Sequence, residues 1–205
     1  MSANVWYKEV EAGLINEIAN TTKYLNTAGE EVLLGVDKVF VRDPEEDLTD
    51  EHIPCATITL VSGKYNPQRQ GTLQVVTDRD YENFKMTIEE RAIPYDLTYQ
   101  IDFWSRYRED LYLMQKTWLG SGHFRQFNLA VTDDGGTERT CNAEQLEPFR
   151  ETNQLLGGKR LFHDIISYHI WVELDNETGY TVPMVAEAQF GAEDISGSPQ
   201  SDEEP

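Results

Sequence analysis

Residues Ile93 to Trp118 read IPYDLTYQIDFWSRYREDLYLMQKTW, and within that stretch the hydrophobic period changes from two to about 3.6. In the first half Leu97, Tyr99, Ile101 and Phe103 fall on one face. Asp96, Thr98, Gln100 and Asp102 fall on the other. That alternation predicts a strand with one buried side. Pro94 suits the position just before such a strand, where its missing N–H costs no ladder bond. Ser105 is placed to cap the helix that follows, along which Tyr107, Leu111, Met114 and Trp118 form an apolar seam. Gly120 and Gly122 stop it. The segment therefore predicts a strand feeding directly into an amphipathic helix.

The rest of the chain supplies one more helix and many strands. Trp6 to Leu25 places Tyr7, Val10, Leu14, Ile18 and Leu25 along one stripe, with Glu9 and Glu11 near the positive end of the helix dipole. Val32–Val41, Cys55–Val61, Leu73–Thr77 and Phe84–Glu90 read as strands, and Ser62–Gly71 as a locally basic loop carrying Lys64 and Arg69. Phe127–Thr132 and Thr137–Cys141 flank a DDGG turn and predict a hairpin. Asn142–Asn153 is polar and irregular, with the look of a short helix. Leu161–Leu174 and Thr181–Phe190 both alternate and predict a long terminal hairpin. From Gly191 to Pro205 the composition turns to Gly, Ser, Pro and acids, so residues 1–190 read as one domain and 191–205 as an acidic, disordered tail.

Composition restricts the partners. The chain has 205 residues, enough for one compact domain, and 8 Phe, 4 Trp and 10 Tyr provide material for its core. Seventeen Lys and Arg against 37 Asp and Glu give a net charge of −20, and the body stays acidic without its tail. Such a surface repels phosphate and argues against gripping nucleic acid. No stretch has the length and apolarity of a membrane span, and the N-terminus lacks a signal-peptide pattern, so the expectation is a cytosolic protein with Cys55 and Cys141 reduced.

A search for catalytic chemistry finds none. The sequence has no G-x-S-x-G, H-E-x-x-H or P-loop motif. The acidic run from Asp43 to Glu51 lacks the residue order of a calcium loop. His163 and His169 share a strand face but stand roughly 20 Å apart, too far to hold one metal. They read as surface or edge histidines. Cys141 reads as a small apolar filler of its hairpin strand, not a nucleophile. The expectation is no catalytic residue, no metal and no cofactor. Arg106 and Arg108 stand in the first turn of the second helix, where cations oppose the dipole. They suit local salt bridges or contact with an acidic neighbouring subunit.

PYDLTYQIDFWSRYREDLYLMQ resembles a segment of the tail-terminator, neck and tail-completion proteins of tailed bacteriophages, and LFHDIISYHIWVEL followed by TVPMVAEAQF resembles the end of such proteins. The resemblance implies an α+β protomer: a twisted, mostly antiparallel sheet with two main helices (residues 6–25 and 105–119) packed on it, and extended hairpins and loops. It also implies a homohexameric ring that caps the tail tube and mates it with the head connector. Partners would be further copies of itself and neighbouring tube, sheath and connector proteins, in the virion and in the host cytoplasm during assembly. DNA would pass through without specific binding. Lys64, Tyr65, Arg69, Arg106 and Arg108 are the candidate contact residues. Another tail or baseplate assembly protein is the alternative, and the acidic run at residues 43–51 is a departure from the family pattern.

Overall fold

The computed structural model describes residues 6–41, 52–69, 74–90, 92–133, 135–156, 159–174 and 179–183. The acidic run 43–51, residues 184–190 and the C-terminal tail lie outside them. Among the described residues the chain is α+β, with a six-stranded sheet, two small satellite sheets and two α-helices.

Helix α1 spans Tyr7–Thr21 and buries Val10, Gly13, Leu14, Ile18 and Ala19. The Glu9 carboxylate accepts the Trp6 N–H at 3.0 Å, which satisfies one of the orphan donors at its N-terminus. The helix is shorter than the apolar stripe suggests. Lys23–Leu25 leave it as strand β1, which pairs with β2 (Glu31–Leu33) across a turn closed by Asn26. The single strand expected over Val32–Val41 is therefore two: β2 ends at Leu33, Gly35 turns at φ +77, and β3 is only Val39–Val41.

The main sheet runs β3, β4 (Cys55–Tyr65), β7 (Ile93–Ser105), β10 (Lys159–Leu174), β9 (Glu138–Leu156), β8 (Gln126–Thr132). All pairs are antiparallel except β3 with β4. The β7 face read from the sequence is the core: Leu97, Tyr99, Ile101 and Phe103 are all at most 1% exposed. They meet Ile166, Tyr168, Ile170 and Val172 of β10, and α1 and α2 (Arg108–Trp118) cover them through Leu14, Ile18, Leu111, Met114 and Trp118. Burial of that many large side chains, each worth about 1.5–3 kcal/mol, is what holds the helices to the sheet.

Four expectations are corrected by the strand pairing. The β8–β9 hairpin forms as read, but β9 does not stop at Cys141. Asn142–Asn153 is neither irregular nor helical and continues as strand to Leu156. Ser62–Tyr65 is not loop but the end of β4; of the rest of that expected loop, residues 66–69 turn and residues 70–71 lie outside the described residues. Ser105 does not cap α2; it is the last residue of β7, and Tyr107 takes the cap position. Finally, β10 does not pair with the segment after it. Its neighbours are β7 and β9, while β11 (Gly179–Pro183) pairs with β6 (Lys85–Glu90).

That last pairing creates an arm. Strand β5 (Gln74–Asp80), β6 and β11 form a three-stranded sheet in the order β11–β6–β5 whose main packing is internal. Its three connections leave the body at one end, from Tyr65, Ile93 and Leu174, which the register places side by side. Phe84, expected inside a strand, lies instead in the turn Tyr81–Phe84 at the arm's tip.

Candidate interaction surface

The five candidate contact residues separate into two groups at opposite ends of β7. Lys64 and Tyr65 lie opposite Asp96 and Tyr95, whereas Arg106 and Arg108 follow Ser105. About 33 Å of strand separates Tyr95 from Ser105, so the two groups cannot form one patch.

Arg69 faces inward and roots the arm. Its guanidinium bonds Asp96 at 2.9 Å and the Tyr95 carbonyl at 3.3 Å, approaches Glu173 at 3.6 Å and lies 5.6 Å from the Trp171 ring centre. Asn66 adds bonds to Asp96 at 2.7 Å and to the Pro94 carbonyl at 3.0 Å. These bonds fix the 66–69 turn against β7. Lys64 is exposed, and the Tyr65 ring packs 6.0 Å from Tyr95 with 39% of the residue open.

The strand that carries Lys64 and Tyr65 is the more consequential feature. β3 pairs with β4 only over Ala56–Ile58. Among the described residues, Thr59–Tyr65 have β7 on one side and no strand on the other. Where an edge of this kind is open, its main-chain donors and acceptors can take an added strand. Leu60 and Val61 are 38% and 58% exposed along it, and the register slips between Leu60 and Ser62. The slip and Lys64 are the devices by which edges avoid indiscriminate pairing.

At the other end, Arg106 and Tyr107 border a cleft of about 770 Å³ with Tyr24, Leu25, Ile53 and Pro54. Tyr107 is 68% exposed. Arg108 is exposed and pairs with Glu151 at 2.9 Å. An exposed pair of this kind is worth up to about 1 kcal/mol, so Arg108 is available for exchange with another carboxylate.

Of the two histidines read as surface or edge residues, His169 is half-buried and His163 is buried; His52 is exposed. His163 lies 4% exposed on the sheet face opposite the helices, stacked 3.6 Å from Trp104. Its Nε2 bonds Asp102 at 2.9 Å and its Nδ1 bonds the Thr152 hydroxyl at 3.0 Å. Asp102 also accepts from Gln100, and Trp104 donates to Thr57 at 3.0 Å. A hydroxyl, an imidazole and a carboxylate in line suggest a nucleophile relay. Here the order is set by direct cross-strand neighbours, Thr152, His163 and Trp104, whose ring lies over the imidazole. The arrangement staples β4, β7, β9 and β10 together. His123 is likewise buried, stacked 3.7 Å from Trp118 and bonded to Glu17 at 2.8 Å, which ties α1 to the turn after α2.

The two cysteines are buried in different parts of the core, Cys55 beside Trp104 and Leu161, Cys141 beside the α1 layer. Burial pushes the Cys141 thiol up to about 11, which keeps it protonated and unreactive at neutral pH. Among the described residues, no group of three or more His, Cys, Asp or Glu could hold a metal ion, and no helix is long and apolar enough to cross a membrane.

Sequence reasoning missed the arm tip and the cleft. The run Asp80-Tyr81-Glu82-Asn83-Phe84, acids and Asn between two alternating segments, is the signal that marks a hairpin turn there. No protein-family model matches the chain, and no curated protein matches it.

Proposed function

We propose that this chain is a structural virion subunit of the head–tail junction. In this reading it is a tail-terminator or neck protein that assembles as a homohexameric ring, caps the tail tube and joins it to the head connector. The observation that carries this reading is the division of the molecule into a well-packed body and two features turned outward. One is the stretch of β4 from Thr59 to Lys64, which among the described residues has a strand only on its β7 side; the other is the arm of β5, β6 and β11 rooted beside it. An edge and an arm are means of building a sheet across subunits.

Electrostatics fits the same reading. The sheet face without helices carries Glu144, with Asp96 and Glu173 held by Arg69, and the whole chain has a net charge of −20. A channel lined in this way would let DNA pass and offer its phosphates no grip. The sequence resemblance of the Pro94–Gln115 region to phage neck proteins supplies the specific assignment.

Light scattering on the purified chain should give a species of six copies, and a reconstruction of the parent virion should place a ring between tail tube and connector. A monomer that persists to high concentration, with no ring density at the junction, would reject this function.

A further inference from the structure

We infer that His123 is a buried imidazolium, and that with Glu17 it forms a proton-dependent clasp between α1 and the turn that follows α2. The inference stands on the hydrogen bonds of one side chain and is independent of the assembly reading above.

Both nitrogens of the imidazole meet oxygens that can only accept. Nδ1 lies 2.9 Å from the Trp118 carbonyl oxygen, and Nε2 lies 2.8 Å from a Glu17 carboxylate oxygen. A neutral imidazole has one N–H and one lone pair. In either tautomer that lone pair would point at an oxygen at hydrogen-bonding distance, in a residue only 2% exposed. Two donors satisfy both contacts, and only the imidazolium has two. The proton belongs on the imidazole and not on the acid for two reasons. Glu17 keeps 31% of its side chain open to water, where a carboxylate is ionised at neutral pH. The imidazole lies 3.7 Å under the Trp118 indole at an interplanar angle of 10°, against a face that attracts a cation.

His163 shows the alternative. Its Nε2 bonds Asp102, but its Nδ1 faces the Thr152 hydroxyl, which can donate. One proton on that imidazole serves both contacts.

Each element packed against His123 contributes a known group. α1 supplies Glu17, α2 the Trp118 indole and carbonyl, and β8 the Phe127 ring at 4.5 Å. From β10 the Tyr168 hydroxyl donates to the His123 carbonyl at 2.9 Å. Burial pushes the Tyr168 phenol up, so it stays protonated and adds no charge. Arg125 turns its guanidinium to the Phe124 ring at 5.4 Å, and Lys116 is exposed.

The clasp spans two elements, because the Trp118 carbonyl ends α2 and Glu17 lies on α1. With one proton fewer, the imidazole can hold only one of the two oxygens, and the contact that faces the lone pair opens. Loss of the proton thereby releases α1 from the turn Leu119–His123. An unfolded imidazole is half protonated at about pH 6.5, so folding takes up a proton above that pH. The contribution of the clasp is therefore present in full near pH 6 and declines as pH rises.

Glu17→Gln tests this without shortening a side chain. The amide can donate an N–H to Nε2, so a neutral imidazole then serves both contacts. Nitrogen NMR of the full chain at pH 7 should show two protonated nitrogens on His123 in the parent and one in the variant, with His163 keeping one in both. Above about pH 6.5 the parent's folding constant, from urea unfolding, should fall relative to the variant's by up to tenfold per pH unit, the limit for one proton. A bare nitrogen on His123 of the folded parent at pH 7 overturns the inference, and that measurement needs no variant. A ratio of folding constants that stays fixed from pH 6 to pH 9 overturns it as well.

Discussion

Ser105 donates its hydroxyl proton to the Asp110 carboxylate at 2.9 Å, and this one bond joins the end of β7 to the first turn of α2. The same Ser105 oxygen accepts the Tyr107 N–H at 3.1 Å, and the second Asp110 oxygen accepts the Leu25 N–H of β1 at 3.3 Å. Both side chains are buried, Ser105 completely. Asp110 also places its charge near the positive end of the helix dipole. Asp110→Ala would leave a hydroxyl and a backbone N–H without their acceptor in a buried setting. The expected loss is about 2–4 kcal/mol in urea unfolding, with Asp110→Asn losing less because one oxygen acceptor remains. Equal losses for the two variants would mean that the carboxylate's bonds contribute little.

How much of this architecture is legible in the sequence depends on whether a residue's environment is local. The β7 face is legible because Leu97, Tyr99, Ile101 and Phe103 alternate without interruption and all end in the core. The α2 seam is legible apart from Tyr107, which the strand-to-helix corner turns outward. β9 is hidden because Pro148 and a run of polar residues break its pattern. The structure absorbs them in an irregularity where Ile165 pairs with Arg150 and Ser167 with Glu147. The buried histidines are illegible for another reason. The partners of His163 are Trp104 and Asp102, about sixty residues away, and no local pattern brings them together. The arm is hidden because alternation in β10 tells which face is buried but not which strand lies beside it.

The His163 network gives a prediction about specificity of packing. His163→Phe keeps an aromatic ring over Trp104 but removes the bond to Asp102, whose carboxylate is only 3% exposed. A cost of about 1–3 kcal/mol follows from leaving that carboxylate short of a donor. A double-mutant cycle with Asp102→Asn should return a coupling above about 1 kcal/mol. Additive losses would show that the imidazole acts through its stack alone.

Asp164 gives a pH dependence of the opposite sense to the usual carboxylate. It lies 5% exposed, and burial first, then the nearby Glu151 charge, pushes its carboxyl up to about 6. Its folded value exceeds its unfolded one. The stability it contributes is therefore fully present below about pH 4 and is lost as pH rises through about 6. Asp164→Asn removes the buried charge. In thermal or urea unfolding the variant should exceed the parent by about 1–2 kcal/mol at pH 7.5, with the gap closing below pH 4. A gap that stays constant with pH would assign the effect to packing and not to ionisation.

Gly13 sets helix propensity against close approach. In an open helix position, Gly→Ala stabilises by up to about 1 kcal/mol. At Gly13 of α1 an added Cβ would come 2.7 Å from the Ala130 carbonyl oxygen and 3.1 Å from a Val131 methyl. The first of these is backbone inside β8, which is hydrogen-bonded to β9 and cannot yield as a flexible side chain does. The helix must then lift from the sheet, loosening Val10, Leu14 and Ile18, all fully buried. Overpacking of this kind costs about 1–3 kcal/mol, so the sign inverts and Gly13→Ala should lower the urea midpoint. Gly120→Ala, where a Cβ meets nothing within 4 Å, is the matched control and should lie near neutral. If Gly13→Ala proved as stable as the parent, α1 would have to sit farther from β8 than these distances place it.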